Sequence, residues 1–131
     1  MIMAFDLYDF IDNRGENVLS GWVQGVGLTG RDRGALNQKI DMLQMHGSDL
    51  PPKLLAGPIN KQRHVYKLII HADKMLRPML CKGPFDMGAE FTFLLGAIER
   101  NFKLDHDPSE ATANREILLS ERKRRTPHER F

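Results

Sequence analysis

Lys67, Arg77 and Arg100 are the residues of this chain whose types together could carry out a reaction. Fixed positive charge stabilises the extra negative charge of a pentacovalent phosphorane. A group of cations also lowers the pKa of a lysine among them, so that the lysine can act as a general base. That chemistry is the binding and cleavage of a phosphodiester. The plainer reading is an exposed sheet face carrying solvated Lys and Arg. Other motifs point to less. Gly25-Val26-Gly27-Leu28-Thr29-Gly30 fits GxGxxG, with Asp49 downstream, but a dinucleotide fingerprint follows a strand and opens a helix. Here a helical pattern comes first, and the segment reads as a glycine-rich link. His46, His64, His71, His106 and His128 include no i, i+4 pair, and the single Cys81 cannot complete a zinc set. No metal or other cofactor is expected. Cys81 reads as a packed strand residue and Trp22 as core. The run Arg122-Lys123-Arg124-Arg125 reads as a solvated helix end, with an RNA contact as the alternative.

The elements that must position these cations follow from periodicity. Residues 5–11 alternate as a short strand, and Asp12-Asn13-Arg14-Gly15 turns. Val18, Leu19, Trp22, Val23 and Val26 recur at helical spacing. A second helix is expected from Asp32 as N-cap, with Leu36, Ile40 and Leu43 on one stripe and Gly47 as its C-terminal cap. Residues 48–62 hold three prolines and a glycine and read as loop. Strand-like runs follow at 65–70, 75–81 and 91–98. Asp107, Pro108 and Glu110 then open a last helix reaching about Arg122. Residues 123–131 are expected to fray as a basic tail. The connections between the late strands are too short for helical crossovers, so those strands run antiparallel. The expected class is α+β: one domain over 1–131, with a small antiparallel-type sheet of one N-terminal and three later strands. Two N-terminal helices pack on one face, and a C-terminal helix completes the fold.

Parity decides which face the cations share. If the Ala72-Asp73-Lys74 loop pairs His71 with Met75, then Tyr66, Leu68 and Ile70 lie on one face with Leu76, Pro78 and Leu80. The opposite face takes Val65, Lys67, Ile69, Met75, Arg77, Met79 and Cys81. A one-residue slip mixes Lys67 with Leu76 and Arg77 with Leu68, burying a charge whichever face is core. In the third strand Phe91, Phe93, Leu95 and Ala97 form the expected core side. Glu90, Thr92, Gly96 and Arg100 point away. Lys67, Arg77 and Arg100 are thus expected on one open face. Pro78 cannot donate to a ladder and calls for a bulge or an unpaired position.

Charge is uneven along the 131 residues. Residues 1–60 carry five Lys/Arg against seven Asp/Glu, and residues 61–131 carry fourteen against ten. A basic second half suits a polyanion partner, through counterion release from phosphates. Hydrophobic content of 41% and charged content of 27% are those of a globular protein. No apolar run approaches the roughly 20 residues of a membrane helix, Met1 to Asp6 lack the pattern of a signal peptide, and one cysteine asks for no oxidising compartment. A cytoplasmic protein without membrane contact is expected.

With these elements in order, the sequence resembles the RelE/HigB-like toxins, in particular their phage-derived HigB-like branch. The resemblance runs over roughly residues 6–120. It is carried by Gly15-Glu16-Asn17 and Trp22, Leu50-Pro51-Pro52, His64-Val65-Tyr66-Lys67-Leu68, Leu76-Arg77-Pro78-Met79-Leu80-Cys81, and the stretch Glu90-Phe91-Thr92-Phe93-Leu94-Leu95-Gly96-Ala97 before a basic loop and a capped helix. It implies a toxin of a toxin–antitoxin pair that cleaves mRNA without a metal, often on the ribosome. The 2′-hydroxyl attacks the adjacent phosphate and leaves a 2′,3′-cyclic phosphate. It implies catalytic roles for Lys67, Arg77 and Arg100, and RNA contacts at Lys103, His106, His71 and Lys82. It also implies a cognate antitoxin, a small DNA-binding protein. The family's Tyr or His near the C-terminus has no tyrosine counterpart after Tyr66, which leaves His106 or His71 for that place. A non-catalytic relative that binds RNA or a protein is the alternative.

Overall fold

The computed structural model describes residues 4–131, so the start of the segment read for a leader, Met1–Met3, lies outside the described residues. Strand β1 (Asp6–Phe10) runs into a turn where the Asp12 carboxylate accepts from the Arg14 and Glu16 amides at 2.8 and 3.0 Å. Helix α1 (Val18–Gly25) is capped by Asn17, whose Oδ1 accepts from Ser20 N–H. Helix α2 (Gly30–His46) begins earlier than the Asp32 cap expected from sequence. Thr29 is the N-cap, and Asp32 sits three residues on as the acidic partner of a capping box. The Asp32 carboxylate also accepts from Lys74 N–H at 2.9 Å, pinning the helix start to a distant hairpin. Gly47, at φ 53°, ends α2 as the pattern requires.

The later strands are shorter than their apolar runs. β2 (Leu55–Ala56) lies in the segment read as loop. The run 65–70 divides into β3 (Tyr66–Leu68) and β4 (Ile70–His71), and 75–81 divides into β5 (Met75–Leu76) and β6 (Met79–Lys82). Pro78 is the cause, since it lacks the amide a continuous ladder needs there. β7 (Glu90–Leu95) and the hairpin of β8 (Glu99–Arg100) and β9 (Lys103–Leu104) follow. Helix α3 (Pro108–Ser120), capped by Asp107, and β10 (Arg125–Pro127) complete the chain.

The strand pairing expected from parity is present. Ile70 pairs Leu76, His71 pairs Met75, Tyr66 pairs Leu80 and Lys67 pairs Met79. The sheet, however, is mixed rather than antiparallel in type. Six strands lie in the order β10-β1-β7-β6-β3-β2, with β1 parallel to β7 and every other neighbour antiparallel. The α1–α2 crossover returns the chain to the far side of β7, which permits that parallel pair. The tail is not frayed either. Thr126 pairs Asp9, and His128 N–H donates to Leu7 O, so β10 covers an otherwise bare edge of β1.

Both faces of the sheet are covered. Leu19 and Trp22 of α1 and Leu36, Ile40 and Leu43 of α2 pack with Leu7, Leu68, Leu80, Phe91 and Phe93. Ala111 and Leu118 of α3 pack on the other face with Phe10, Val65, Met79, Cys81 and Leu94. Each such large apolar side chain contributes roughly 1.5–3 kcal/mol on burial. The face expected to stay open is therefore the seat of α3. A bulge where Met79 pairs Leu95 but Leu80 pairs Phe93 reverses the parity of the end of β7. Ala97 thus joins the α3 side, while Gly96 turns to Trp22 so closely that an added Cβ would meet Trp22 Cδ2 at 2.0 Å.

Candidate functional site

Arg77 lies where β5 gives way to β6, and it is 3% exposed. Its amide donates to Ala97 O at 2.8 Å. Its guanidinium donates to Leu76 O at 2.9 Å and Ile70 O at 3.3 Å, and lies 3.5 Å from both carboxylate oxygens of Glu99. Arg77 is thus a clamp between the β4–β5 and β8–β9 hairpins, which also meet through a Leu76–Ile98 bridge. The expectation of an open face shared by Lys67, Arg77 and Arg100 is corrected here. A guanidinium among backbone carbonyls satisfies those acceptors better than water could reach them, so the arginine goes inside with Glu99 as its counter-charge.

Lys67 lies on the α3 side of β3, half-buried. Arg100 is exposed and pairs with exposed Lys103 across the two-residue turn Asn101-Phe102. Asn101 and Phe102 have φ of 51° and 64°, the sign a type I′ hairpin demands at both central positions. Asparagine tolerates that region, whereas a bulky residue there is strained by about 1–2 kcal/mol. Phe102 is also 98% exposed, so neither its backbone nor its ring gains anything from packing. An aromatic ring held bare between two cations can stack on a nucleobase while its neighbours meet phosphates. Sequence reasoning saw only a basic loop here. The usable signal was Arg-Asn-Phe-Lys itself, a two-residue turn between cations.

The remaining candidates are dispersed. His71, exposed, lies on the β4–β5 hairpin opposite Met75, whose sulfur is 3.6 Å from Arg77 Nη2. His106 precedes α3 and its Nδ1 contacts Glu110 Oε2 at 3.1 Å. Lys82 lies on the opposite side of the sheet from Lys67, with its ammonium 5.2 Å from the centre of the Tyr66 ring. Arg124 and Arg125 of the basic run are engaged within the fold. Arg124 donates to Ile11 O, and Arg125 pairs with buried Glu90 and lies over Tyr8. Burial pushes the Cys81 thiol up to about 11, which makes it a poor nucleophile. The buried Asp9 carboxylate, held by Asn17 and His128 Nδ1, serves to fasten the C-terminal segment. Among the described residues no group of three or more His, Cys, Asp or Glu could hold a metal ion, and no helix is long and apolar enough to cross a membrane.

What the two hairpins offer is a pair of free cations, an exposed ring and a histidine, all anchored on the Arg77 clamp. Comparison with protein-family models, with curated proteins and with solved structures finds no match.

Proposed function

We propose that this chain is a metal-independent endoribonuclease acting on mRNA, the toxin half of a toxin–antitoxin pair, with a fold of the RelE/HigB-like kind. The observation that carries the reading is the β8–β9 hairpin, with Arg100 and Lys103 flanking a bare Phe102. The resemblance in element order, strand–helix–helix–strands–helix, supports it, and so does the basic charge of residues 61–131. In this reading RNA lies across the two hairpins. Phe102 stacks on a base, and Arg100 and Lys103 neutralise the phosphate next to it. The 2′-oxygen bonds to phosphorus and gives its proton to His71 on the β4–β5 hairpin, while the bond to the 5′-oxygen breaks and that oxygen takes a proton from water. Arg77 contributes to the phosphorane only when Glu99, whose side chain is 24% exposed, turns outward. The chain then acts in the cytoplasm, on translating mRNA and on the ribosome, and is silenced by a small DNA-binding antitoxin.

A second reading is favoured by the closed Arg77–Glu99 pair: a non-catalytic protein that binds RNA or a partner through the same hairpin. Induced expression with primer-extension mapping of mRNA ends separates the two. The enzyme yields new, position-specific 5′ ends and arrests growth, and co-expression of the neighbouring gene product relieves the arrest. Intact mRNA and unaffected growth would decide for the binding protein.

A further inference from the structure

The loop before β3 folds into a tight knot. Ile59 N–H donates to Val65 O at 2.8 Å, Gln62 N–H to Ile59 O at 2.8 Å, and Val65 N–H to Gln62 O at 2.9 Å. That closure forces Lys61 to φ 67°, a left-handed conformation that a lysine adopts only when its surroundings hold it there. The Thr112 hydroxyl of α3 bonds to the Gln62 side chain and fixes the knot to the helix. Between knot and helix lies a cavity of about 360 Å³, lined among others by Lys61, Arg63, His64, Thr112, Arg115 and Glu116.

The lining carries net positive charge, with Lys61, Arg63 and Arg115 against Glu116. Among the described residues, Lys61, Arg63 and Arg115 form no ion pair. Arg115 Nε is buried with no hydrogen-bond partner, while the same guanidinium reaches the Cys81 thiol. Arg63 Nε–H donates to His64 Nε2 at 3.2 Å, which leaves the other imidazole nitrogen to carry the proton. Burial first, then the charges of Arg115 and Arg63, hold the His64 pKa below its usual value. His64 is therefore a neutral donor at pH 7. Three cations against the single carboxylate of Glu116, which pairs with none of them, leave an excess of positive charge around a space of this size, and that excess fits an anion with several acceptor oxygens.

We propose that this cavity binds the phosphate group of a nucleotide, with Arg63 and Arg115 as the principal contacts and Lys61 closing the rim. The nucleotide is either a unit of an RNA strand, in which case the inference rests on the RNA reading above, or a free mononucleotide. The test follows the ¹⁵N-labelled imidazole of His64 by NMR while sodium phosphate, uridine 3′-monophosphate or a decameric oligouridylate is added, with sodium chloride as the ionic control. A saturable shift of His64 with the nucleotide probes is expected, weakened at least tenfold in Arg63→Gln and in Arg115→Gln. Arg31→Gln, on the exposed start of α2, should bind as the wild type does. Oligouridylate binding at least tenfold tighter than the mononucleotide assigns the site to RNA, and equal affinity assigns it to free nucleotide. A shift that chloride reproduces, no saturation with any probe, or unchanged affinity in well-folded Arg63→Gln overturns the proposal. Saturable binding alongside intact mRNA in the expression assay would refute the nuclease reading and leave the phosphate site standing.

Discussion

Replacing Arg77 tests the clamp directly. Arg77→Ala removes the donors to Leu76 O at 2.9 Å and Ile70 O at 3.3 Å, and strips Glu99 of its partner. Leaving a buried polar group unsatisfied costs roughly 1–3 kcal/mol, and breaking a buried ion pair roughly 3–5 kcal/mol. Glu99 has 24% of its side chain in solvent, so its isolated carboxylate regains some hydration and the lower end applies. The expected loss is about 3 kcal/mol, which lowers Tm by about 10 °C in a chain of this size. Glu99→Gln keeps an acceptor beside the guanidinium and should lose only about 1 kcal/mol. Urea denaturation followed by Trp22 fluorescence measures both, and the double variant gives the coupling. A loss within about 0.5 kcal/mol for Arg77→Ala, the value of an unconstrained surface residue, would refute the clamp and return Arg77 to the open face expected from sequence. The assay also guards the functional reading, because lost toxicity in Arg77→Ala is informative only for molecules that remain folded.

Three other outcomes follow from particular contacts. Burial alone would raise the Asp32 carboxyl, but bonds from Lys74 and Thr29 bring it from 3.8 to about 2. Asp32 should therefore contribute stability of about 2 kcal/mol that is whole above about pH 4 and lost as pH falls through 2; the gap between wild type and Asp32→Asn in urea titrations should shrink steadily from pH 4 to pH 2, and a gap that stays constant over that range would contradict it. Truncation before Arg125 removes β10, the Asp9–His128 contact and the Asn37–Phe131 bonds, so it should destabilise the fold by several kcal/mol and promote oligomers through the bared β1 edge, as chromatography and thermal melts would report. A frayed tail would leave both measurements unchanged. Phe102→Gly relieves the left-handed backbone and should raise stability by about 1 kcal/mol, while single-stranded RNA affinity measured by fluorescence anisotropy falls by roughly 1–3 kcal/mol. Equal affinity in that variant would remove the stacking role.

Local chemistry was enough to read much of this chain. The stripes Leu19–Trp22–Val23 and Leu36–Ile40–Leu43 repeat at helical spacing, and Asp107-Pro108 marks a helix start through its own hydrogen bonding. The pairing of His71 with Met75 followed from parity, although its premise of one open face did not hold, since α3 covers the side of Lys67 and Arg77 is buried. What escaped the sequence depends on partners far along the chain. Whether the second face of the sheet is open depends on where α3 lands, and residues 108–120 carry no mark of the strands they cover. The bulge at Met79/Leu80 inverts Gly96 and Ala97, and no residue type announces it. Arg77 could not be read as buried without Glu99, twenty-two residues later, and the carbonyls of Ile70 and Leu76 around it. The cations of the 61–64 knot meet Arg115 only after β3 and α3 pack. Periodicity and capping are short-range and so are written in neighbouring residues, whereas the charge balance of a site is a sum over segments that only the tertiary structure brings together.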